Sequence, residues 1–516
     1  MNLFLKIITA ILILFAFSIS QAQDTKTFLR KGNDFFNSNN FIDALENYLE
    51  IPNEELDEKI NYRIGVCYLN TNIDKSKAIP YLEKVISSEK PDPNAFYLLG
   101  RAYHFAYKFD EAIKMYEKFK EIAKGTEFNL IDVDKQIEYC YNAKELLKFP
   151  VNVTFENLGE NINSPYKDYY PFISEDEDVL FFNSKRDDGS DKQLDGSFTS
   201  EIYYAKVKNG KFSKAKKLDQ NINTLSGNEE IVGLSDNGKY MILYFENEKS
   251  YGDLFIAEFD GKNVVNIEKL PKEINSKSTE IAASISHDGN AIYFASDREG
   301  GFGGVDIYVS RKLPNGKWGP AQNLGATINT PFDEDFPNIA ENGKYLYFSS
   351  KGHTSMGGYD IFKAQWNPEK NRWVGVKNVG YPINTPEDNT NFRSSKTGRT
   401  GYISALRAKG YGDYDIYSIT FNDIDPTYTV VYGYILDENN QKIPDSYLSV
   451  IDLETDEIYG EYLPNPKSGR YIMILPPGKY NLMIETEGYQ PYTEDIEIYG
   501  KSSQKAEIKK DFILKK

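Results

Sequence analysis

Ile162-Asn163-Ser164 recurs as Ile222-Asn223-Thr224, Ile274-Asn275-Ser276, Ile328-Asn329-Thr330 and Ile383-Asn384-Thr385, at intervals of 60, 52, 54 and 55 residues. Four residues before each Ile stands an apolar residue: Leu158, Leu218, Leu270, Leu324 and Val379. About 15 residues after it comes a turn, Asp236-Asn237-Gly238, Asp288-Gly289, Asn342-Gly343 or Thr397-Gly398. Such turns close hairpins because Gly accepts positive φ. An apolar strand follows, such as Ala291–Phe294 or Tyr345–Phe348. Then comes an acidic residue among aliphatic and aromatic neighbours: Asp253, Asp306, Asp360 or Asp415, each 31 or 32 residues from its Ile. In the first copy Glu201 stands at 39, with the extra residues in the loop Arg186–Ser200. A unit of this length holds about four strands, and its repetition predicts a β-propeller over residues 150–423. Five blades are expected; six remain open if an irregular blade hides in the linkers. The fifth unit ends near Phe421 without its last strand, while Val151–Leu158 precedes the first unit and carries the matching Leu158. That segment is expected to supply the missing outer strand, close the ring and remove its exposed edges.

Upstream, from Asp24 to about Lys148, the periodicity is helical. Phe28, Gly32, Phe35, Ala44, Tyr48 and Ile51 share their spacing with Phe96, Gly100, Tyr103, Ala112, Tyr116 and Phe119. A middle copy has Gly65, Tyr68, Ala78, Leu82 and Val85, and the glycines lie 33 and 35 residues apart. The set resembles tetratricopeptide repeats, whose period is about 34 residues. It predicts an all-α array over 23–149, with a further helix near Asp132–Lys148 as its cap. The resemblance implies a concave face that binds peptides or partner proteins, with Asn33, Tyr62, Tyr97, Arg101 and His104 as candidates. The competing reading is that these are solvated or inter-helix residues.

Lys6 is followed by an apolar run, Ile7–Ile19, of 13 residues, and then by Ser20-Gln21-Ala22. This fits a signal peptide over 1–22 cleaved after Ala22 better than a retained anchor, because polar Gln23-Asp24 follows at once. No Cys lies near this site to carry a lipid anchor. Downstream of the propeller, residues 427–516 hold short strands and turns: Tyr432–Ile435, Tyr447–Ile451, Gly469-Arg470-Tyr471 and Pro476–Tyr480. They predict a small antiparallel β-sandwich and resemble carboxypeptidase-regulatory-like domains of the transthyretin type. No His or Cys lies beyond residue 353, so a peptidase zinc site is not expected in this tail.

The 516 residues, 40% hydrophobic and 27% charged, suffice for about three domains. With 60 Lys and Arg against 77 Asp and Glu the net charge is −17, and no basic stretch stands out, which argues against nucleic acid as a partner. Three His and two Cys weaken His-based catalysis, zinc binding and a disulfide scaffold. Cys67 and Cys140 lie in helical patterns and are expected to be buried thiols, with a disulfide left open. The repeated Asp is expected to be structural, since it recurs in every blade. The loop Asp187–Asp195 lacks full calcium-loop spacing, and Glu299–Gly304 lacks the Lys-Ser/Thr of a phosphate loop. No metal and no cofactor are expected.

The order of leader, helical repeats, WD40/TolB-like propeller and regulatory-like sandwich resembles a family of periplasmic multidomain proteins. These associate with the outer membrane and, in some members, with type IX secretion. Members usually continue into an OmpA-like domain that binds peptidoglycan. This sequence stops at Ile513–Lys516, where that domain would start, so no direct peptidoglycan domain is seen in it, and a naturally short member and an incomplete chain both stay open. The resemblance implies a non-enzymatic periplasmic scaffold that contacts envelope proteins through the helical groove and propeller faces, peripheral to the outer membrane. One alternative is a propeller that binds a glycan or small ligand through Asp297, Arg298 and Trp318. Another is a propeller hydrolase, which would need His104, His287 or His353.

Overall fold

The computed structural model describes residues 24–123, 130–174, 176–189, 192–208, 210–224, 227–247, 250–341, 343–395, 398–407, 409–422, 428–499 and 507–516. The expected leader over 1–22 lies outside them. The chain forms two compact units, Met1–Thr420 and Phe421–Lys516.

The first unit opens with helices α1 (24–37), α2 (Phe41–Leu49), α3 (Glu58–Leu69), α4 (Ile79–Ile86), α5 (Pro93–Phe105), α6 (Phe109–Ala123) and α7 (Leu130–Leu146). Asp57 and Asp92 cap α3 and α5, accepting the amides of Ile60 and Asn94 at 2.8 and 2.9 Å. A Cβ on Gly32 would stand 2.7 Å from the Tyr48 ring, and one on Gly100 2.6 Å from Tyr116. Only glycine therefore lets α1 meet α2, and α5 meet α6, at this distance.

The expectation of an all-α tetratricopeptide array is corrected. About 37% of the chain is strand and 20% helix, and the helices belong to the same compact unit as the sheets. The physical reason is a shared core and a shared set of hydrogen bonds. Met356, in a propeller loop, is fully buried in a cluster with Phe96, Phe109, Cys140 and Ala143 of the helices. Around it Asn142 Nδ2 donates to Ser355 O at 2.9 Å, and Tyr139 Oη donates to Lys351 O at 2.5 Å.

Five antiparallel sheets follow. Blade one comprises Asp168–Ile173, Val179–Ser184, Glu201–Lys208 and the short outer strands Lys211–Phe212 and Lys216–Lys217. Blade two comprises Gly227–Leu234, Tyr240–Asn247, Ser250–Phe259 and Val264–Lys269, and blade three Ala283–Ile285, Ala291–Ser296, Asp306–Arg311 and Gln322–Asn323. Blade four comprises Glu334–Ala340, Tyr345–Ser350, Asp360–Asn367 and Arg372–Asn378. Blade five has Arg393–Ser394, Thr400–Ala405 and Asp415–Phe421, and Val153–Asn157 pairs on as its outermost strand. The first strand of each blade contacts that of the next, and the fifth contacts the first, so the ring is closed.

The repeated tripeptide makes this closure. Each Ile is buried at the blade junction, and each Asn clamps the third strand of the preceding blade. Asn329 Oδ1 accepts from Ile307 N at 2.8 Å while its Nδ2 donates to Ile307 O at 3.0 Å. Asn223, Asn275 and Asn384 hold Ile202, Leu254 and Ile361 in the same way. Asn163 reaches round to Ile416 of blade five, at 2.8 and 3.0 Å. In four copies the Ser or Thr that follows is held by an acid in or just before the next blade's first strand, as in Thr330 Oγ1 to Glu334 at 2.7 Å and Ser276 Oγ to Glu280 at 2.7 Å; in the fifth, Asn389 takes that place against Thr385.

The second unit is a two-sheet sandwich. One sheet orders Arg470–Leu475, Thr429–Asp437 and Glu507–Lys509, with Phe512–Leu514 also on Thr429–Asp437. The other orders Glu457–Tyr462, Tyr447–Asp452, Gly478–Glu485 and Tyr492–Ile498. Strict alternation in Arg470–Leu475 turns Tyr471, Met473 and Leu475 into a core with Val450, Leu482 and Phe512.

Candidate functional site

A cavity of about 720 Å³ lies within the first unit between the helices and the loops of blades four and five. On α5, Tyr97, Arg101 and His104 fall at helical spacing on one face and line it, as do Asp132, Lys135, Gln136 and Tyr139 of α7. The propeller contributes Phe332 and Asp333 before blade four, Lys351 after its second strand, Glu387 and Asp388 before blade five, and Tyr414.

Most of the charges here are already engaged. Lys351 pairs with Asp333 at 2.9 Å, and Lys75 pairs with Glu387, whose carboxyl burial pushes up against the pull of that lysine. Lys135 pairs with Glu138 at 2.9 Å and stands 4.8 Å over the Phe332 ring. Asp388 Oδ1 accepts from Tyr359 N at 2.8 Å. Arg101 differs: its contact is with the Phe105 ring at 5.4 Å, and among the described residues it has no hydrogen bond or ion pair. Its guanidinium donors are thus available to an occupant of the cavity.

Of the residues singled out from sequence, Tyr97, Arg101 and His104 come together on the cavity wall, while Asn33 and Tyr62 do not line it. Asn33 Oδ1 accepts from Tyr48 Oη at 2.9 Å and from Arg63, tying α1 to α2 and α3. Tyr62 is half-buried on α3, and burial raises its phenol. Tyr97 packs its ring 5.7 Å from Tyr116 and 5.6 Å from Phe119. His104, 4% exposed, donates from Nε2 to Met356 O at 2.9 Å; burial pulls its pKa down to about 4.

Asp297, Arg298 and Trp318 are not brought to one place in the loops. Asp297 accepts from Thr279 N at 2.7 Å. Arg298 donates to Ile274 O at 2.8 Å and Glu280 at 3.0 Å, lying 4.8 Å over the Phe294 ring. Trp318 packs against the core shared by blades two and three. Arg298 is one of a recurring set of latches: Arg186 donates to Ile162 O, His353 to Ile328 O and Arg407 to Pro382 O, each at 2.8 Å. His353 thus stands where other blades carry Arg. His287 Nδ1 meets Asp236 at 2.6 Å between the hairpin loops of blades two and three.

The recurring acids act on their own blades. Asp306 accepts from Phe302 N at 2.6 Å and Asn323 Nδ2 at 2.7 Å, and Asp360 from Met356 N at 2.9 Å and Asn378 Nδ2 at 2.8 Å. Cys67 and Cys140 are free buried thiols, each pushed up to about 12 by burial.

The sequence reading missed the α7 residues, taken only as a cap, and the acids Asp333 and Asp388. The signal for the acids was present: both stand five residues after the repeated Ile, where the first and third copies carry Lys167 and Thr279.

No family model matches the chain. Similar solved structures include 3-chlorocatechol 1,2-dioxygenase from Rhodococcus opacus 1CP, 14% identical, covering 18% of this chain and 61% of that one, with a TM-score of 0.15. TolB from Acinetobacter baumannii is 13% identical, covers 57% of this chain and 71% of its own, and has a TM-score of 0.31. CoXyl43, a GH43 β-xylosidase/α-arabinofuranosidase from a compost microbial metagenome, is 12% identical and covers 51% and 92%, with a TM-score of 0.32. The chain spans about three-fifths of the length of the chlorocatechol dioxygenases it matches. Likenesses with TM-scores this low carry no argument about this chain. The class defined here, a β-propeller protein with a helical layer in the same unit, rests on the five sheets and their closure.

Proposed function

We propose that this protein is a non-enzymatic adaptor of the cell envelope, exported to the periplasm and peripheral to the outer membrane, that seats an extended segment of a partner protein in the cavity between helices and propeller. The observation that carries this reading is Arg101. It lines a cavity of about 720 Å³ among tyrosines and charges of both signs, and no group among the described residues engages its donors. Arginine and tyrosine beside each other, sheltered from bulk water, are what protein interfaces use as anchors. The histidines support binding over hydrolysis: His104 and His353 donate to main-chain carbonyls, and His287 holds two loops together through Asp236. The sandwich, read as a regulatory-like module, adds a second contact surface, and weak sites on one chain reinforce each other through effective concentration.

The test is capture of partners from crosslinked envelopes by the full chain. Arg101→Ala should lower recovery of a protein partner about ten-fold, since a central arginine contributes on the order of 1–2 kcal/mol. His287→Gln should leave recovery and envelope function unchanged. Equal capture by Arg101→Ala, or loss of function in folded His287→Gln with capture retained, would overturn the adaptor reading.

A further inference from the structure

A second, smaller cavity of about 30 Å³ lies at the hairpin end of the inner strands and shares no lining residue with the cavity above. Arg393, on the inner strand of blade five, lines it and is 4% exposed. Its Nη1 donates to Asn338 Oδ1 of blade four, and its guanidinium lies 4.1 Å over the Phe172 ring of blade one. Nε is buried with no hydrogen-bond partner, and among the described residues no carboxylate forms an ion pair with the guanidinium. The two acids on the cavity wall are turned to other partners: Asp236 to His287 Nδ1 at 2.6 Å, and Glu341 to Lys344 at 3.9 Å.

A buried positive charge facing only an amide oxygen and a ring is costly, and proteins balance such charges with a counter-charge or hydrogen bonds. Burial pulls the Arg393 pKa down to about 9, which still leaves it cationic at neutral pH. We propose that this cavity is a binding site for one monovalent inorganic anion of halide size, held by Arg393 at the meeting of three inner strands. The size follows from the volume, which admits one water or one monatomic ion and excludes phosphate or an organic carboxylate. The single charge follows from the balance: one guanidinium faces the site, and the neighbouring acids disfavour a more highly charged guest. An ion there links blades four, five and one around the channel, so its binding stabilises the ring.

Crystals of the full chain grown in sodium bromide give the direct test. An anomalous bromide peak beside Arg393 Nε is expected. An ordered water there, or bromide confined to surface lysines as an adventitious ion only, would overturn the site. In solution, exchanging sodium gluconate for sodium bromide at constant ionic strength should raise the melting temperature of the first unit by a few degrees, with saturation. Arg393→Gln should abolish that shift. If this variant does not fold, the bromide peak in the native protein still decides, and a melting shift with no peak at Arg393 counts against the site.

Discussion

Asn329 shows how much of this fold rests on single side chains. Its amide satisfies both main-chain groups of Ile307 and also donates to Asn323 Oδ1 at 2.8 Å, in a place 1% exposed. Asn329→Ala leaves a buried amide and carbonyl of the third strand without partners, and should destabilise the first unit by roughly 2–3 kcal/mol. A lowered urea midpoint at unchanged slope would register it. His104 makes a second prediction. Its folded pKa of about 4 lies below the 6.5 of an unfolded chain, because burial disfavours the charged ring. Between these values the unfolded state takes up a proton that the folded state refuses, so stability is fully present above pH 6.5 and falls as the pH drops toward 4. The contribution is roughly 3 kcal/mol across that window. Against His104→Gln, which carries no titrating ring, the native protein should show the steeper loss, measured by denaturant unfolding at pH 7, 5.5 and 4.

At the scale of elements, Val153–Asn157 is the piece on which the ring depends. It is the outermost strand of blade five, and Asn157 Nδ2 donates to Asp415 Oδ2 at 2.8 Å across the seam. Deleting 151–158 should expose the edge of Asp415–Phe421 and lower the melting temperature of the whole first unit. Unchanged melting would reduce the segment to a connector. The strands themselves were legible because each copy repeats the same residue types at nearly the same spacing, down to the Asn whose clamp spacing alone could not describe. The α7 wall of the cavity was not legible. Its polar residues at Asp132, Lys135, Gln136 and Tyr139 read as the solvated face of a terminal helix, and only the propeller loops opposite give them a role. Met356 was equally hidden: a single apolar residue in a loop before Gly357-Gly358 has no period to betray that it plugs a helical core.

For the whole molecule, that plug decides how the helices behave. An independent array would melt by itself. A layer that shares Met356, Tyr381 and the His104 and Asn142 hydrogen bonds with the sheets should not. Calorimetry should show helices and sheets of Met1–Thr420 unfolding in one transition, and Met356→Ala should lower it by about 2–4 kcal/mol in stability, as cavity-forming truncations do. A separate early loss of helical circular dichroism would contradict this. The Asn clamps carry one more consequence. Each tripeptide belongs by sequence to one repeat but grips the repeat before it, so the propeller is a bracelet of identical clasps in which the clasp that joins the ends, Asn163 on Ile416, is no different from the other four. A bracelet of that kind can gain or lose a whole link without any clasp being redesigned. It can also be opened at another link once residues 421 and 151 are joined, so a reordered chain has the same five grips to find.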